Sequence, residues 1–181
     1  CNITQFPAGR SPVNGANVEN VILWDSVRID SEAGEVAALS DRLNALAAET
    51  GGVVVDIAND PEVAALRAQA EANTSCVFAT NLVAESIQDI VDSYRNANLT
   101  YVTLVGADDS IPFFRYPDQA LLGPEQDYNP PVADDSPSQA ALRLHYILGQ
   151  DEYGTRISVS SGDGTVPIPE LSVGRVVESA S

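Results

Sequence analysis

Short apolar runs alternate along this chain with longer stretches in which apolar positions recur every three to four residues, the signature of strands alternating with helices. Val18 to Trp24 is the first run and reads as a strand, followed at once by Asp25 and Ser26. From Glu35 to Thr50, Val36, Leu39, Leu43, Leu46 and Ala47 fall at helical spacing, and Gly51-Gly52 stops the pattern. Val53 to Ile57 reads as a short buried strand. Asp60 and Pro61 then open a helix to about Ala72, with Asp60 as its cap and Pro61 in its first turn. The apolar stripe of that helix is thin, which places it on the surface. Asn73 to Thr80 reads as a connector, and Asn81 as the cap of a further helix with Val83, Ile87, Ile90, Val91 and Tyr94 on its inner face. Thr100 to Val105 is almost continuously apolar, as suits a strand buried on both faces of a parallel sheet.

The order strand, helix, strand, helices, strand predicts an α/β fold in three layers. Right-handed crossovers would give a mostly parallel sheet with helices on both faces and the strand at Tyr101 to Val105 central. Residues 1 to 17, mixed in Gly, Pro and Asn, read as an extended lead-in, and residues 18 to 181 as one α/β domain. Open α/β sheets place their ligands at the carboxyl ends of strands. Asp108 and Asp109, just after Gly106, are therefore binding candidates; the plainer reading is that they cap the next turn. Beyond Pro112 the alternation breaks. Phe113 to Pro137 holds five of the eleven prolines and reads as a long functional or wrapping loop. Ser138 to Leu148 reads as a helix, Ile157 to Val159 as a strand or hairpin arm, and Leu171 to Val177 as the last strand.

Composition narrows the function. The chain has 181 residues, of which 44% are hydrophobic, enough for a full core. Its 26 acidic residues face nine arginines and no lysine. Nucleic acid and anionic membranes are poor partners for such a surface, and no run is long enough to span a membrane. The acidic excess reads either as a solvated surface or as cation binding. Without lysine there is no P-loop, and no dinucleotide fingerprint, His-Glu-x-x-His or Cys-x-x-Cys occurs. Any targeting segment is expected to lie outside this chain. Cys1 and Cys76 are the two cysteines. A disulfide between them and a lipidated Cys1 both stay open. Sequons at Asn2, Asn73 and Asn98 hint at a cell-surface setting.

Leu99-Thr-Tyr-Val-Thr-Leu-Val-Gly106 followed by Ile111-Pro112, then Gln150-Asp-Glu-Tyr-Gly154, then Pro169-Glu-Leu-Ser-Val-Gly-Arg175, resembles the gingipain-type cysteine peptidases, peptidase family C25. The likeness runs from about Asn17 to Ser181 and is to large bacterial secreted or surface proteins. It implies a Rossmann-like, caspase- or gingipain-like first subdomain, located outside the cell. It also implies a scaffold and substrate-cleft role beside a downstream catalytic subdomain of the same parent chain, acting on polypeptide substrates. The family's histidine turn and strand-end cysteine come after its Gly-Arg strand, and neither motif is present here, so no catalytic residue is assigned and the chain alone is expected to be inactive. A dyad of His145 with Cys76 is a weaker option, since His145 falls within a helical stretch and Cys76 precedes a different helix. The resemblance further implies a calcium loop, with Asp163, Thr165 and Glu170 as ligands and Asp151 or Glu152 as an additional one. The alternative is a solvent-exposed acidic turn. At Ala107 the family often has Asp. The rival function is a non-catalytic cell-surface or assembly module on the same fold.

Overall fold

A computed structural model describes residues 1–29, 33–119, 123–124, 127, 136–161 and 164–177. Strand β1 (Asn20–Trp24) leads into helix α1 (Ala33–Glu49), strand β2 (Gly52–Asp56) and, after a 3₁₀ turn, helices α2 (Pro61–Glu71) and α3 (Val77–Ser93). Strand β3 (Tyr101–Val105) follows, then β4 (Phe114–Pro117), α4 (Pro137–Arg143), β5 (Tyr146–Gly149), a 3₁₀ turn at Asp151–Gly154, and strands β6 (Thr155–Ser161), β7 (Gly164–Pro169) and β8 (Ser172–Val176).

The main sheet is wholly parallel, in the order β2-β1-β3-β8. Alternate side chains of β1 feed two cores. Val21 and Leu23 pack with Leu66 of α2 and with Leu82, Val83, Ile87 and Val91 of α3. Ile22 and Trp24 pack with Leu43 and Ala47 of α1. Helices therefore cover both faces of the sheet, as the alternation of elements implies. The strand buried from end to end is β1, whereas β3, although interior, leaves Tyr101 half exposed. Two antiparallel pairs, β4 with β5 and β6 with β7, stand apart from the main sheet.

Several local expectations change. α2 is not a surface helix: Val63, Leu66, Arg67 and Gln69 are buried. The lead-in straps it down, running back along the helix. Asn2 N–H donates to Asn73 Oδ1 (2.9 Å), Thr4 and Gln5 N–H donate to Gln69 Oε1 (2.8 Å each), and Ala8 N–H donates to Glu62 Oε1 (2.7 Å). Arg10 grips the Asp60 carboxylate with both terminal nitrogens, at 2.6 and 2.8 Å. The strap is anchored covalently, because Cys1 and Cys76 form a disulfide. α3 begins at Val77 rather than Asn81, with Cys76 at its N-cap. Asn81 instead works sideways, accepting from Arg115 N–H and donating to Arg115 O, both at 2.9 Å, which fastens β4 to α3. The stretch Ser138 to Leu148 is not one helix. It turns at His145, whose φ is 64°, and continues as β5. β4, which pairs with it, lies inside what reads as a featureless loop.

Candidate functional site at the strand carboxyl ends

From β1 the chain crosses to β2 on one side, and from β3 it eventually reaches β8 on the other, so the crevice beyond the carboxyl ends of β1 and β3 is the switch point of the sheet. Two loops meet there. In the loop after β1, Asp25 Oδ1 accepts from the N–H groups of Val27 and Arg28 at 2.9 Å each. Its other oxygen pairs with Arg67 Nη1 at 2.5 Å, and both side chains are almost fully buried. Arg67 reaches over from α2 and also donates to Ser110 O. Ser110 Oγ in turn donates to Arg28 O at 2.9 Å, which ties the second loop to the first.

That second loop, Gly106 to Phe113, is pinned by arginines. Arg175 of β8 donates from Nη1 to Gly106 O (3.1 Å) and Ile111 O (2.7 Å), and its guanidinium lies 4.0 Å from the centre of the Phe113 ring. Arg115 donates to Phe113 O and to Asp108 Oδ2, the latter at 2.5 Å. Asp108 also accepts from Ser138 Oγ (2.7 Å) and Phe113 N–H (2.7 Å). Asp108 is thus committed to holding the loop rather than being open to a ligand. Asp109 is exposed and accepts from Ser110 N–H at 2.9 Å. Burial lowers the pKa of Arg67 and of Arg175 from the ordinary value. Burial also pushes the Tyr153 phenol up, keeping it neutral as it donates to Pro112 O at 2.6 Å. Between α2 and the second loop lies a pocket of about 150 Å³ whose wall includes Arg28, Arg67, Glu71, Thr80, Asp109 and Arg115.

The remaining candidates are those of the calcium loop. Glu170 pairs with Arg95 Nη1 at 3.0 Å. Asp151 opens the 3₁₀ turn, where its carbonyl accepts from Thr155 Oγ1 at 2.9 Å. Glu152 accepts from the Tyr116 hydroxyl at 3.0 Å. Thr165 lies in β7 opposite Ser160, and Asp163 lies outside the described residues. Among the described residues no group of three or more His, Cys, Asp or Glu gathers as a metal site would require. The His145–Cys76 dyad fails because the Cys76 sulfur is bonded to Cys1.

Reading by sequence singled out Asp108, Asp109 and the Gly174-Arg175 pair but missed Arg67, Arg115 and the pocket. One signal for Arg67 was available. It falls on the inner face of α2, next to Leu66 and four residues after Val63, and an arginine there has to reach a buried acceptor. Among the described residues no helix is long and apolar enough to cross a membrane. Comparison with family models, with curated proteins and with solved structures finds no match to this chain.

Proposed function

We propose that the chain is the scaffold and substrate-cleft subdomain of a gingipain-like cysteine peptidase, with the catalytic cysteine and histidine supplied by a following subdomain of the same parent. One observation carries the reading: the separated stretches on which the resemblance rests converge at one place. Arg175 binds the carbonyls of Gly106 and Ile111, and its Nε donates to Gln150 Oε1 at 3.0 Å. Tyr153 binds Pro112 O, and Gly154 O accepts from Glu170 N–H and Leu171 N–H at 3.0 and 3.1 Å. A β-carbon on Gly154 would meet Leu171 O at 2.6 Å, so the motif's glycine has a packing reason. The interlocked loop stands at the carboxyl ends of the strands, where a substrate would lie, and the edge of β8 beside it, unpaired among the described residues, offers a place for further strands. The disulfide supports an oxidising, extracellular setting.

The reading is tested on the parent sequence and on its protein. A Gly-His turn and a strand-end cysteine beyond Ser181 are expected, with peptide hydrolysis by the two segments together that is lost when that cysteine becomes Ala. Their absence, or hydrolysis by residues 1–181 alone, overturns it. Calcium at Asp151, Thr165, Glu170 and Asp163 belongs to the same proposal. It calls for a rise in Tm with calcium that sodium does not give and that Glu170→Ala removes.

A second reading, a non-catalytic surface or assembly module, is favoured by the β6–β7 hairpin. Ile157 faces Ile168 and Val159 faces Val166, and all four are exposed. Such a ladder is a surface suited to protein contact.

A further inference from the structure

We infer that the pocket between α2 and the loop after β3 binds a carboxylate group. The inference stands independently of the peptidase reading. Arg28, Arg67 and Arg115, three of the nine arginines of a chain without lysine, line this one small pocket. All three already hold carboxylates of the chain itself: Arg67 holds Asp25, Arg115 holds Asp108, and Arg28 holds Glu71. The Arg67 and Arg115 pairs are buried. The Arg28 pair is different, since its side chains are 38% and 60% exposed. An exposed ion pair is weak, so it can open at little cost. Glu71 therefore occupies Arg28 as a replaceable stand-in, and an incoming carboxylate takes its place. Arg67 lines the same wall with its charge already met by Asp25. Its side chain is buried, and its Nε has no hydrogen-bond partner among the described residues. The Thr74 and Thr80 side chains stand in the same wall and offer hydroxyl donors.

The planar guanidinium fork of Arg28 can take either a carboxylate or a phosphate with two parallel hydrogen bonds, and charge selects the carboxylate. The wall also contains Asp108 and Asp109, and the whole chain carries a formal charge of −17, so a single negative charge meets less repulsion than a double one. A pocket of about 150 Å³ accepts a group the size of an aspartate side chain. The carboxylate can come from a free small acid or from an acidic side chain of a polypeptide.

The test is titration of the intact chain at low ionic strength, followed by amide chemical shifts of Arg28, Glu71, Thr80 and Asp109. The probes are propionate, an alanine-flanked aspartyl peptide with blocked ends, its asparaginyl counterpart and inorganic phosphate. Saturable shifts are expected with propionate, with the aspartyl peptide or with both, and whichever binds names the source. Glu71→Gln should tighten binding several-fold by removing the stand-in. Arg28→Gln should weaken it about tenfold or more. Both side chains are exposed, so neither change threatens the fold. The inference is overturned if neither carboxylate saturates the shifts, if phosphate or the asparaginyl peptide does equally well, or if Glu71→Gln and Arg28→Gln leave binding unchanged.

Discussion

Arginine does at the centre of this protein what lysine does not. Arg175 bridges two carbonyls five residues apart in the chain while its guanidinium lies over the Phe113 ring, and its Nε still reaches Gln150. A rigid fork with five donors serves several acceptors at once, whereas an ammonium group is a single point charge on a flexible stem. The loop held in this way has one position with no freedom for a side chain. Gly106 has φ of 127°, and a β-carbon there would lie 2.7 Å from Ser110 Cβ. Gly106→Ala should destabilise the fold by about 1–3 kcal/mol through strain and the displaced serine, read as a lower midpoint in urea with an unchanged slope. A neutral effect would mean that the loop is free to rearrange. The acidic side of α3 gives a second test at this scale. Burial, and then the charges of Asp89 and Glu152, raise the pKa of Glu85. The folded state therefore holds that proton more tightly than the unfolded chain. The stability Glu85 contributes is present below its unfolded pKa and is lost as pH rises through the folded value. Glu85→Gln should stabilise the protein at pH 7, and the gain should shrink as the pH falls towards about 4. Asp60 behaves oppositely: its pKa is lowered, since the hydrogen bonds from Arg10, Val63 and Glu62 outweigh burial. Its contribution is present above the unfolded pKa and is lost as pH falls through the folded value, so Asp60→Asn should cost more at pH 7 than at pH 3 when unfolding is followed in urea.

Among the elements, β1 is the keel. It is buried at all five positions and pairs along its length with both β2 and β3. Its amides should therefore exchange with solvent more slowly than those of β2 or β8, each of which has one edge unpaired among the described residues. Slower exchange in β8 would point to a covered edge. The elements that could be read from sequence share one property, a period sustained long enough to leave a single interpretation. The five apolar positions of α1 and the almost continuous apolar run in β3 are of this kind. So is the cap of α2, where Asp60 accepts from Glu62 and Val63 N–H as its position before Pro61 suggests. The misread elements had their local signal overruled by tertiary contacts. Ala141, Leu142 and Leu148 suggest one helix, yet pairing with β4 draws Tyr146 to Gly149 into a strand, with neither Gly nor Pro marking the turn at His145. α3 starts early because the covalent bond to Cys1, rather than a polar cap, fixes its first residue. The same limit applied to the pocket. Asp108 and Asp109 were visible because a strand end is a local feature. Arg28, Arg67 and Arg115 come from three separate segments, and only the packing of α2 against the sheet brings them together.

For the whole molecule, the long-range tie is the strap. The disulfide spans a sequence separation of 75 residues and encloses β1, α1, β2 and α2. By chain entropy alone, closing a loop of that size lowers the free energy of the fold relative to the open chain by roughly 4 kcal/mol. Reduction, or Cys1→Ser with Cys76→Ser, should thus lower Tm by several degrees. An unchanged Tm would mean that the strap's hydrogen bonds already hold it in place. The same bond decides how the protein bears a pull. Tension applied between residue 1 and residue 181 enters at Cys1 and passes through the covalent bond to Cys76, so the enclosed backbone cannot be drawn out. Stretched to full length, the oxidised chain should be shorter than the reduced one by 75 residues' worth of backbone, which at ~3.6 Å each is about 270 Å. In a single-molecule stretching record, the reductant should release that hidden length in one step, leaving the first two-fifths of the protein mechanically silent until it is added.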